Sequence, residues 1–76
     1  MENIVIETFN KNAREKVRVM LTTYQGRDLI DIRSCVEGES GLIPTRKGIT
    51  MSIELILKLQ ECLGKAAEKV KEIKNK

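Results

Sequence analysis

Lys16-Val17-Arg18-Val19-Met20-Leu21-Thr22-Thr23-Tyr24-Gln25-Gly26-Arg27-Asp28-Leu29-Ile30-Asp31-Ile32-Arg33 is the stretch on which the reading of the fold turns. In an extended chain successive side chains point to opposite sides, so Val17, Val19 and Leu21 share one face. Lys16, Arg18, Met20, Thr22 and Tyr24 share the other. Gln25-Gly26-Arg27 brings the glycine that a tight reversal needs, and Asp28 to Val36 then returns as the second strand of a hairpin. Keeping the apolar faces together sets Ile30, Ile32 and Val36 beside Val17, Val19 and Leu21. The same register sets Leu29, Asp31 and Arg33 on the face of Lys16 and Arg18.

On the N-terminal side, Ile4-Val5-Ile6-Glu7-Thr8-Phe9 is rich in β-branched residues and predicts a short first strand. Asn10-Lys11-Asn12 predicts a turn in which Lys11, with Arg14 just beyond, is simply solvated. On the C-terminal side, Glu37 to Gly41 reads as a second turn and Leu42 to Met51 as a fourth extended segment. Pro44 removes a ladder donor there, so this segment is an edge strand or is broken at that point. Ser52 is a good N-cap, and from Ile53 the apolar period becomes that of a helix running to about the end. Ile56, Leu59, Leu63, Ala66, Val70 and Ile73 fall on one stripe, with Lys58, Glu61, Lys65, Glu68 and Glu72 opposite. Glu61 with Lys65 and Glu72 with Lys76 are favourable pairs four apart. Gly64, inside the helix, costs about 1 kcal/mol relative to alanine.

The fold expected is α+β: a four-stranded antiparallel sheet followed by one long amphipathic C-terminal helix, in a single domain over residues 1–76. The helix should cover the apolar face of the sheet and leave the face with Lys16, Arg18, Tyr24 and Arg33 open to solvent. A chain of 76 residues buries only about 60% of its unfolded surface when it folds alone. The helical stripe also runs on past the length of one small sheet, at about 1.5 Å per residue. A dimer follows, with Leu63, Ala66, Val70 and Ile73 as its interface. Fraying of the lysine-rich stretch after Gly64 is the competing outcome.

Histidine is absent, and the two cysteines, Cys35 and Cys62, lie far apart in apolar surroundings. No disulfide framework, metal site or cofactor is expected, and both cysteines read as small core hydrophobes. No serine or cysteine lies in a nucleophile motif, which argues against an enzyme. Asp28 and Asp31 fall on opposite strand faces, so they form no catalytic pair and read as solubilising charges. Nothing at the N-terminus resembles a secretory leader and no run approaches a membrane span, which predicts an intracellular protein of cytoplasm, nucleoid or nucleus.

The net charge of +3 favours a polyanion without choosing one. Its placement says more, because cations at alternate strand positions track a phosphate backbone and a tyrosine among them offers a platform for an unstacked base. An ordinary solvated sheet face would carry a similar pattern. Thr45-Arg46-Lys47-Gly48 adds adjacent cations beside a glycine, where backbone and side chains can approach phosphate together.

Lys16-Val17-Arg18-Val19 leading through Tyr24-Gln25-Gly26-Arg27 into Leu29-Ile30-Asp31-Ile32-Arg33, then Pro44-Thr45-Arg46-Lys47-Gly48-Ile49-Thr50 before a helix, resembles the positive-cofactor-four family of transcriptional coactivators, including its bacterial and phage-like members. The likeness spans roughly residues 16–60. It implies a dimer of four-stranded sheets, each backed by a helix, that binds single-stranded DNA across the sheets without strong sequence preference. The family's aromatic before the turn glycine falls on Tyr24 and its basic residues on Arg33, Arg46 and Lys47, with Lys16, Arg18 and Arg27 as further matches. Better-known members carry a second aromatic after the Asp-Ile-Arg motif, where this chain has Ser34-Cys35-Val36. The serine-rich tail of the eukaryotic coactivators is not matched either. The role implied lies in transcription, repair or replication. Binding of RNA or duplex DNA by the same face, or docking of the open sheet on the transcription machinery, are the alternatives.

Overall fold

The computed structural model describes residues 3–75. Four strands follow one another, β1 (Ile4–Asn10), β2 (Glu15–Tyr24), β3 (Arg27–Gly38) and β4 (Gly41–Ser52), then a single 3-10 turn (Ile53–Leu55) and a helix α1 (Ile56–Lys74). The sheet is an antiparallel meander in the order β1-β2-β3-β4. The fold is thus the α+β architecture that the alternating and helical periods predict.

The hairpin forms in the expected register. Arg18 faces Arg33, Val19 faces Ile32, Leu21 faces Ile30, and Tyr24 closes the turn against Arg27. Gln25 and Gly26, the two turn residues, both have positive φ, 51° and 76°. That is the turn whose twist matches the strands it joins, and glycine takes its second position without steric cost. Asn12 shapes the β1–β2 connection, its side-chain oxygen accepting from the backbone amides of Arg14 and Glu15 at 2.9 and 2.8 Å.

β4 is an edge strand, and its register with β3 breaks beside Pro44: Cys35 faces Pro44, whereas Arg33 faces Gly48. Ser34 therefore opposes three residues, Thr45, Arg46 and Lys47, which bulge from the ladder. Both conditions for a proline within a strand are met at one place.

The expectation that the helix covers its own sheet is overturned. Only Ile56 and Leu59 of α1 are partly covered, and every residue from Gln60 to Asn75 is exposed. A three-residue 3-10 turn is all that separates β4 from α1. Ser52 caps that turn, accepting from the Glu54 amide at 3.3 Å. The radius of gyration is 14.7 Å, against about 11 Å for a compact chain of this length. Cys62 is therefore exposed on the bare helix and only Cys35 is buried, which corrects one of the two cysteine assignments. Gly64 lies inside α1 as expected, and Lys65 pairs with Glu61 at 3.4 Å, whereas the pair of Glu72 with Lys76 lies outside the described residues.

The apolar face of the sheet is better covered at its centre, where Val17, Val19, Leu21 and Ile32 are half-buried, than at its edges. Among the described residues Ile30 and Cys35 are the buried hydrophobic ones, while Phe9, Ile43 and Ile49 are about half exposed, like Val70 on the helix.

Candidate nucleic-acid interface

Pairing across β2 and β3 brings Lys16, Arg18, Tyr24, Arg27 and Arg33 onto one face of the sheet, because residues opposed across a ladder point the same way. These five of the seven expected contact residues share a surface. Tyr24 stands at its tip, 64% exposed, so its ring is available to a flat partner.

The cations are not equally available. Lys16 is tied to Glu37 at 2.9 Å. Arg33 is more completely engaged: its Nε and Nη2 donate to the Asp31 carboxylate at 3.1 and 2.8 Å, and its Nη1 donates to the Thr45 carbonyl at 2.8 Å. Thr50 closes the network, its hydroxyl donating to Asp31 at 2.8 Å. Asp31 is only 6% exposed, which corrects its reading as a solubilising surface charge. Burial pushes its carboxyl up, but hydrogen bonds from Arg33 and Thr50 and the charges of Arg33 and Arg18 more than offset this and hold it below its ordinary value.

Arg18 lies directly across from Arg33. Two guanidinium groups thus stand beside one carboxylate, leaving a net positive charge at the centre of the face. The Nε of Arg18 is buried without a hydrogen-bond partner among the described residues, and Arg18 forms no ion pair among them. Arg27 and Arg46 likewise have no ion pair among those residues and are exposed.

Lys47 does not join the same face. Its ammonium turns to Glu15, 3.7 Å away, on the side of the sheet that carries Val17 and Ser34. Glu15 also pairs with Lys11 at 3.4 Å and accepts a hydrogen bond from the Ser34 hydroxyl. Lys11 is thus partnered rather than merely solvated. Leu63, Ala66, Val70 and Ile73 are all exposed along α1.

Sequence reasoning missed the supporting residues. Thr45 and Thr50 become visible as partners only once β4 is aligned with β3, and Glu15 with Ser34 only once β2 is. The spacing of Asp31 and Arg33, two apart on one strand face, is the one local signal. Among the described residues there is no group of three or more histidine, cysteine or acidic side chains arranged to hold a metal. No helix among them is long and apolar enough to cross a membrane.

The model of the family described as Transcriptional Coactivator p15 (PC4) matches residues 11–62. Among solved structures, the chain is similar to a PC4 homolog from Burkholderia pseudomallei. In its orthorhombic crystal form the identity is 30%, the match covers 87% of this chain and 90% of that one, and the TM-score is 0.78. The tetragonal form gives 28% identity, 87% and 98% coverage and a TM-score of 0.76. A bacteriophage T5 homolog of the eukaryotic coactivator PC4, implicated in recombination-dependent DNA replication, shares the fold over the full length of both chains at 20% identity and a TM-score of 0.55. A search of curated proteins finds no match.

Proposed function

The chain belongs to the transcriptional coactivator p15 (PC4) family, and from that premise we propose that it is a non-enzymatic, homodimeric protein that binds single-stranded DNA through the open face of its sheet, largely without regard to sequence. The observation that carries this reading is the exposed Tyr24 on the same face as Lys16, Arg18, Arg27 and Arg33. Bases in a duplex are stacked inside and offer no ring to a tyrosine, whereas an unpaired base does. Arg18, Arg27 and Arg46 supply phosphate contacts, and because counterions are released at each, binding weakens as salt rises.

Assembly supports the same reading from the opposite side of the molecule. A sheet face holding Val17, Val19, Leu21 and Ile32 is only half-buried, and a helix stripe holding Leu63, Ala66, Val70 and Ile73 is exposed. Burying one such side chain contributes about 1.5–3 kcal/mol, so a second copy that covers both supplies the core this small chain lacks. A two-fold dimer also offers two basic faces to one strand, which raises avidity without new contacts.

The experiment is a competition at fixed salt among a labelled single strand, its duplex and the matching RNA. Preference for the single strand supports the proposal. Equal or stronger competition by duplex or RNA replaces it with binding of that nucleic acid. Salt-independent binding that survives loss of Arg46 and Lys47 points to a protein partner instead.

A further inference from the structure

The Asp31-Ile32-Arg33 and Arg46-Lys47-Gly48 segments meet at a single mechanical joint. Arg33 extends from β3 across β4. One end of its guanidinium is held by the Asp31 carboxylate and the other donates to the carbonyl of Thr45 at 2.8 Å. Thr45 is the first residue of the bulge. Its hydroxyl in turn donates to the Ser34 carbonyl at 2.8 Å and accepts from the Lys47 amide at 3.2 Å. The bulged backbone thus lacks regular ladder pairing and takes its shape from a chain of side-chain bonds that ends on Arg33.

Gly48 completes the joint. A β-carbon there would stand 2.9 Å from the Cζ of Arg33 and 2.8 Å from the carbonyl oxygen of Ile32. Only a glycine leaves the guanidinium room to cross the strand at this point. The glycine of the Arg-Lys-Gly segment is therefore explained by the close approach of β3, through the backbone carbonyl of Ile32 first and the guanidinium of Arg33 beside it.

We propose that Arg33 is a positioning residue, whose fork fixes the Thr45–Lys47 bulge in the form that presents Arg46 to a phosphate, rather than a phosphate contact in its own right. The proposal rests on the single-strand reading above for the identity of the ligand, but not for the mechanical role of the joint. Its geometry is what a fork supplies and a point charge does not: two bonds to a carboxylate on one edge and one to a carbonyl on another. With these bonds made, Arg33 has little left to offer a ligand.

Arg33→Lys separates the two roles, because lysine keeps the charge and can meet a phosphate, but has no fork. Asp31→Asn is the second variant, removing the charge that holds the fork while leaving Arg33 in place. In free protein both variants should speed hydrogen exchange at the amides of Arg46, Lys47 and Gly48 by about tenfold, as expected for loss of a charge-assisted hydrogen bond. In titrations with a labelled oligothymidine, Arg33→Lys should weaken binding by about tenfold in the wild-type background and leave it unchanged where Arg46 and Lys47 are already alanine. Unchanged exchange across Arg46 to Gly48 in both variants overturns the proposal, as does an equal loss of affinity in both backgrounds. If the wild type is not titrated by the oligothymidine at all, the single-strand reading fails, and the exchange rates alone decide whether Arg33 holds β4.

Discussion

Glu15 on β2 accepts a hydrogen bond from the hydroxyl of Ser34 on β3, at the residue of β3 that faces the bulge in β4. That bond, with Lys11 and Lys47 converging on the same carboxylate, makes Glu15 the counterion of a small cluster on the side of the sheet away from Tyr24.

The Ser34 bond first, then Lys11 and Lys47, hold the Glu15 pKa at about 2 against 4.5 for the ordinary side chain. A carboxylate depressed on folding contributes stability that is complete above pH 4.5 and is lost as pH falls toward 2. In urea titrations the wild type should therefore exceed Glu15→Gln at neutral pH, and the difference should shrink below pH 4.5 and vanish near pH 2. A difference that is flat over that window would mean that Glu15 stabilises through packing alone.

Tyr24→Ala should cost about 1–3 kcal/mol of single-strand binding and leave the salt dependence as it was, since stacking releases no counterions. Because Tyr24 is exposed, the thermal midpoint should hardly move. Fluorescence anisotropy at several salt concentrations measures the first quantity and circular dichroism melting the second. A variant that fails to fold would show the ring to be part of a core formed on assembly.

Arg46→Ala should lower the slope of log affinity against log salt by roughly 0.7, as expected when one phosphate of a single strand is no longer neutralised by the protein. Lys47→Ala should lower it less, because Lys47 is already partnered by Glu15. An Arg46→Ala protein with the wild-type slope and affinity would remove that residue from the interface.

Val70→Asp with Ile73→Asp places two charges on the exposed stripe of α1. Sedimentation should show the wild type as a dimer and the double variant as a monomer of lower stability. Weaker single-strand binding should follow as bridging between two faces is abolished. A monomeric wild type, or a double variant that remains a dimer of unchanged stability, would locate the interface elsewhere.

The sheet is legible in the sequence because its information is local. Val17, Val19 and Leu21 alternate with Lys16, Arg18, Met20 and Thr22, and Gln25-Gly26 fits only a narrow class of turns, so strand, turn and register follow together. The bulge is not legible in the same way. Pro44 announces an interruption in β4, but the residues that bridge it, Arg33 and Ser34, belong to another strand and are ten or more positions away. The burial of Asp31 is hidden for a related reason. Its place on the polar face of the strand suggests a solvated charge, and it is the fork of Arg33 together with the arrival of Thr50 from β4 that engages it. For α1 the period places Leu63, Ala66, Val70 and Ile73 on one stripe but does not say what, if anything, packs on it, because an amphipathic face carries no record of a partner.

Each strand of the meander pairs with the strand that immediately precedes it in the chain. No segment has to wait for a distant one, so loop closures are short and the sheet can zip up hairpin by hairpin as the polypeptide leaves the ribosome. The helix is made last, after every strand it might have obstructed. Sheet formation is then first order and indifferent to concentration, while the proposed dimerisation would require a collision between two finished chains. Refolding followed by rapid mixing should resolve these as two phases, with only the slower one accelerating as more protein is added.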